Sequence, residues 1–151
     1  MNTKTGLAAV LAVVMLAGCG GSSSKSSTGP RPLTKAQYEQ ELGPLLNNQV
    51  DPALRASLGG QNAANPGKIA VAIGLIRTAH DRMAGITPPA AVADLHRQAV
   101  AVLSSLVASL TKVRNAELAH DTNGTRAAAL VLLSQARQLV HIGEEFTARG
   151  F

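Results

Sequence analysis

One thiol and four imidazoles are the side chains of this chain best suited to nucleophilic or metal chemistry: Cys19, His80, His96, His120 and His141. The Cys19 sulfur becomes a strong nucleophile once deprotonated. It follows Leu16-Ala17-Gly18, where small residues leave the backbone slim enough for a protease to reach the bond before it. His80 stands next to Asp81, and His96 two residues after Asp94, on either side of Thr87-Pro88-Pro89. A metal ion shared at that corner is the chemistry their positions offer. His141-x-x-Glu144, with Glu145, reverses the Glu-x-x-His that di-iron bundles place on facing helices, and it falls near the solvent edge of the last helix. Met83 lies on an apolar stripe and is expected to pack rather than ligate. The chain has no Cys-x-x-Cys-His, no Gly-x-Ser-x-Gly, and no phosphate, zinc or calcium loop. The Ser-x-x-Lys of Ser22 to Lys25 lies in low-complexity sequence. The expectation is therefore no catalytic residues, no cofactor and no enzyme. The histidines are read as capping carboxylates or facing water, with His80 and His96 as the residues on which a metal or ligand reading would rest.

The segment around Cys19 has a clearer logic. Met1 to Gly6 carries Lys4 and no acid, and Leu7 to Ala17 is an apolar run of 11 residues. A bilayer-spanning helix needs about 20 such residues, so the run is too short for a permanent anchor and reads as a secretory signal. Leu16-Ala17-Gly18-Cys19 resembles a lipobox, the cleavage and modification motif of bacterial lipoproteins, with all four positions matching. The resemblance implies cleavage before Cys19, a diacylglyceryl thioether on its sulfur, and acylation of the new terminal amine. Two acyl chains, at about 0.8 kcal/mol per buried methylene, anchor a protein that one would hold only marginally. Lipid attachment would also leave this exported chain no thiol for a disulfide. Leu16, Ala17 and Gly18 are the expected recognition residues and Cys19 the lipidated one. A signal segment without lipid attachment is the plainer alternative.

Gly20 to Pro32, "GGSSSKSSTGPRP", contains no residue able to build a core. As a flexible coil it spans roughly 20 Å and would hold a domain just off a membrane surface. The chain thus divides into a signal peptide at 1–18, a lipidated cysteine and tether at 19–32, and a domain at 33–151.

That domain must come from small and aliphatic residues, because Tyr38, Phe146 and Phe151 are the only aromatic Tyr, Phe or Trp side chains in 151 residues. Abundant alanine favours helix, whereas a sheet would want the β-branched and aromatic enrichment that is missing. "LTKAQY" begins the first helix with Thr34 and Gln37 as a capping box and Leu33 and Tyr38 as a staple. Apolar positions follow at Leu42, Leu45, Leu46, Val50, Leu54 and Leu58. Gly43-Pro44 and Asp51-Pro52 are expected to kink or split that helix, with Asp51 acting as a fresh cap. Asn65-Pro66 starts a second helix with Ile69, Ala72, Ile73, Ile76, Ala79 and Met83 on one stripe. The third runs from about Pro89 to His120, with Val92, Leu95, Ala99, Val102, Leu106, Leu110 and Val113 repeating over three heptads. "HDTNGT" breaks it. The fourth, from about Thr125, carries Ala129, Leu132, Ala136, Leu139, Gly143 and Phe146. Long amphipathic helices joined by short turns predict an all-α, four-helix up-down antiparallel bundle whose first helix is kinked or split.

The formal charge of +5 is spread singly along the chain, and losing Lys4 with the signal leaves +4. There is no basic stripe with interleaved aromatics, so nucleic acid is not an expected partner. Ile86 to Leu106, "ITPPAAVADLHRQAVAVLSSL", is similar to a pattern in small uncharacterised helical lipoproteins of high-GC bacteria: a Pro-Pro turn, then a long helix with a Leu-His pair near its start. That resemblance implies a bundle on the extracytoplasmic face of the cell membrane. The expected partners are the membrane, through the N-terminal lipid, and an envelope protein or wall polymer. The expected role is a binding or interaction module. The alternative is a metal or small-ligand carrier or sensor using the bundle interior or the His80/His96 corner.

Overall fold

The computed structural model describes residues 31–58 and 65–151. The expectations for Leu16, Ala17, Gly18, Cys19 and the tether before Arg31 lie outside them, as do those for the loop at 59–64 and the Leu58 side chain. The described residues form helices α1 (Lys35–Leu45), α2 (Asp51–Leu58), α3 (Pro66–Ala84), α4 (Ala93–Leu118) and α5 (Thr122–Ala148). A π-helical turn, Leu46–Val50, joins α1 to α2, and a 3₁₀ turn, Ala90–Val92, leads into α4. The fold is an all-α bundle, with the first of its four helices built from joined pieces.

Local chemistry explains most of the ends. The Thr34 hydroxyl accepts the Gln37 N–H, while the Gln37 side-chain oxygen accepts the Thr34 N–H at 3.0 Å, completing the capping box. The Asn65 side chain accepts the N–H groups of Gly67 and Lys68, with Pro66 at the first helical position. Helix α4 has no side-chain cap, and the 3₁₀ turn after Pro89 tightens its start instead.

Two local expectations need correction. Asp51 is not a fresh cap: it is helical at φ −61°, and both its carboxylate oxygens accept the one Arg55 Nε–H, at 2.8 and 2.9 Å. Pro52 has no N–H to donate one turn back, and the π turn just before it widens the ladder where that bond is missing, so the helix continues without a break. Helix α5 also begins three residues earlier than Thr125. His120 adopts φ +54°, its N–H reaches the Glu117 carbonyl, and the Asp121 N–H reaches the Ala116 carbonyl, which closes α4 in a Schellman turn. Asp121 then caps α5 through the Gly124 N–H, so Thr122, Asn123 and Gly124 join the first turn.

The core follows the stripes of α3 and α4. All six expected positions of α3 and all seven of the third helix's stripe, Val92 in the 3₁₀ turn included, are buried. A second row on α4 (His96, Leu103, Ser109) is buried as well, because α4 is the central helix, packed along α3 on one side and α5 on the other. Helix α2 lies against α3. Helix α5 departs from expectation: Leu132, Ile142 and Phe146 are buried, Leu139 is half-buried, and Gly143 is exposed. Its inward face is turned slightly from the stripe that the spacing suggested, because only α4 covers it along most of its length.

Candidate functional site

The seam between the first helix and the last is closed at one end and open at the other. At the closed end every Tyr and Phe of the chain converges. The Tyr38 ring lies 6.1 Å from those of both Phe146 and Phe151, and 5.7 Å from the His96 imidazole. Such spacings suit tilted and edge-on aromatic pairs. Lys35 sits over the Phe151 ring at 5.4 Å. Arg149 then straps the C-terminus down: it donates two bonds to the Asp94 carboxylate at 2.7 and 2.8 Å and one to the Ala91 carbonyl at 2.9 Å.

At the heart of this cluster the Tyr38 hydroxyl and His96 Nδ1 are 3.0 Å apart, both residues being buried. Burial pushes the His96 imidazole below its ordinary value; the Met83 carbonyl opposes that, and the charge of Arg97 adds to it. Burial also pushes the Tyr38 phenol up to about 12. A neutral imidazole can accept the Tyr38 hydroxyl at Nδ1, so the pair can share one hydrogen bond without burying a charge.

These shifts predict a two-step response to acid. Unfolded His96 titrates near 6.5 and folded His96 lower, so its share of stability is complete above pH 6.5 and is lost as pH falls from there towards the folded value. The Arg149 hydrogen bonds hold Asp94 at about 2 instead of 3.8, so its share is present above pH 3.8 and is lost as pH falls towards 2. Melting temperature measured from about pH 8 to 2 should show both declines. His96→Phe should abolish the upper one and keep the lower; an upper decline of undiminished size in that variant would assign it to another group.

Two of the remaining histidines, His80 and His141, have separate partners. His80 Nδ1 lies 2.9 Å from the Asp81 carboxylate, and His141 sits between Glu144 and Glu145 at 3.6 and 3.1 Å on the exposed side of α5. His80 and His96, the two candidates of the Pro-Pro corner, are thus engaged with different groups, His96 turned into the core. Among the described residues no set of three or more His, Cys, Asp or Glu side chains is grouped to hold a metal ion. Ser109 and Lys112 repeat the Ser-x-x-Lys spacing on α4, but Ser109 is buried in the core and Lys112 is exposed.

The open end is the feature that sequence periodicity did not expose. Helices α2 and α5 barely touch, and a groove of about 570 Å³ runs between them. Leu54 and Arg55 form one wall; Leu133, Ala136, Arg137 and Val140 form the other. Beyond the groove, α5 also leaves Leu130 and Val131 facing solvent, at 63% and 51% exposure. Single exposed apolar residues are ordinary, but a contiguous set along one groove is a candidate binding surface. Asp51 holds Arg55 on one wall, whereas Arg137 on the other has no ion partner among the described residues. The arrangement can take up an apolar surface bordered by charge. No helix among the described residues is long and apolar enough to cross a membrane. No protein-family model matches the chain, and neither a curated protein nor a solved structure shows significant similarity to it.

Proposed function

We propose that this protein is a lipid-anchored, non-enzymatic interaction module on the outer face of the cell membrane, its bundle held off the bilayer by the Gly-Ser tether. The observation that carries the interaction half is the open apolar groove between α2 and α5, on a helix whose opposite face already supplies the core. A helix with two apolar faces buries one in its own fold and offers the other to a partner. The anchor half is supported by residues 16–19 and by the lone cysteine within them. A mild positive charge suits a module working close to anionic lipid or wall polymer.

The anchor is tested directly. Cys19→Ser removes the only sulfur able to carry the thioether, and the protein should move from the membrane fraction to the soluble fraction. Retention of the variant in washed membranes would overturn the lipid reading while leaving the groove untouched.

A further inference from the structure

The outward face of α5 has a pattern specific enough to name what covers it. Arg126, Leu130, Leu133, Arg137, Val140 and Glu144 follow one another at alternating intervals of four and three residues. That is the spacing of a coiled-coil seam, here with three apolar and three charged positions, and all six are exposed. Leu130 and Val140 are 63% and 62% exposed, and Leu133 is 39% exposed. The seam runs about 27 Å along the helix. Its inward counterpart, Leu132, Leu139, Ile142 and Phe146, is a different stripe already used by the bundle core.

We infer that this seam pairs with the same seam of a second copy of the chain, the two α5 helices running antiparallel about a two-fold axis level with Gln135. The inference rests on reading the α2–α5 groove as the interaction surface and is independent of the lipid anchor. Charge selects the partner and its direction. In the antiparallel register Arg126 faces Glu144 of the second copy at both ends of the contact, Leu130 faces Val140, and Leu133 meets the aliphatic stem of Arg137. Each layer is complementary, and each occurs twice by symmetry. A parallel pair in register would set Arg126 against Arg126 and Glu144 against Glu144, which like charge disfavours. Arg126 has no ion partner among the described residues, and Glu144 has only His141 at 3.6 Å, so both are available. Ser134 and Ala136 flank the seam with little bulk, and Leu54 of α2 gives the incoming helix a second wall. An anionic lipid surface fits less well, since Glu144 closes one end of the stripe. A two-helix contact of this length belongs to the weak, transient class of interface.

The full chain in its native membrane provides the test, with p-benzoylphenylalanine in place of Val140 as a photoreactive probe. Illumination should yield an adduct at twice the chain's mass. Arg126→Glu and Glu144→Arg should each reduce that adduct about tenfold, because each turns two attractive end contacts repulsive. The double variant Arg126→Glu/Glu144→Arg should restore it, a recovery that a folding defect would not give. Absence of the doubled band, or failure of the double variant to recover, would overturn the pairing. An adduct of any other mass would also overturn it, yet would leave the groove as a docking surface for a different protein.

Discussion

Tyr38→Ala should cost the domain about 3–5 kcal/mol of unfolding free energy, the range for deleting a buried aromatic ring. Tyr38 has no exposed surface, and Phe146, Phe151 and His96 all pack on its ring. Its removal opens a void at the only end where the first and last helices meet through aromatic rings. It also leaves His96 Nδ1 buried without its hydroxyl partner. Tyr38→Phe separates the two effects. It keeps the ring and loses only the hydrogen bond, so it should cost about 1–3 kcal/mol, the price of an unsatisfied buried polar group. Urea denaturation of both variants checks the pair. Equal losses would mean that the hydroxyl carries the whole effect; no loss in Tyr38→Phe would mean that His96 finds another donor.

Leu106→Ala is the second substitution expected to be severe. Leu106 is fully buried midway along α4, the helix packed against both α3 and α5. Removing three side-chain carbons there should destabilise by about 3–5 kcal/mol, since the lost transfer energy is joined by the energy of the cavity left behind. The neighbouring Leu103 and Leu110 are fully buried too, so little side chain is free to collapse into the space. The contrasting substitution is Leu130→Ala on the outward face of α5. Leu130 is largely exposed, and truncating it should change stability by less than about 0.5 kcal/mol. A loss at Leu130 comparable with that at Leu106 would show that the outward face is buried in the folded protein under the conditions used.

Much of this bundle could be read directly from residue order. The capping box at Thr34, the Asn65-Pro66 start and the stripes of α3 and α4 all stand where local chemistry and 3.6-residue spacing put them. These features depend on neighbours within a few positions in the chain, and sequence displays such neighbours directly. At Asp51-Pro52 the junction between helical pieces stands where residue order puts it, and only the cap differs. An aspartate before a proline is a good start signal for an isolated helix, but here the preceding turn was already helical, and a π turn absorbed the missing bond. Similarly, "HDTNGT" reads as a break with the next helix starting near Thr125, whereas one left-handed residue and one cap reverse the chain.

What residue order by itself determined is the helical class, the number of long helices and the inner faces of the two best-covered ones, because the main apolar stripe of each is the one that the bundle buries. Helix α5 carries a second row beside the stripe that its spacing suggests; packing against α4 set how far the inward face turns and left Leu130, Leu133 and Val140 in solvent. Tertiary structure alone also decided the fate of His96, which local order set near an acid at a turn and which packing turned inward to a tyrosine 58 residues away. Burial and pairing are properties of what lies across a helix in space, so only the assembled bundle could settle which histidine was core, which seam was closed and which was left open.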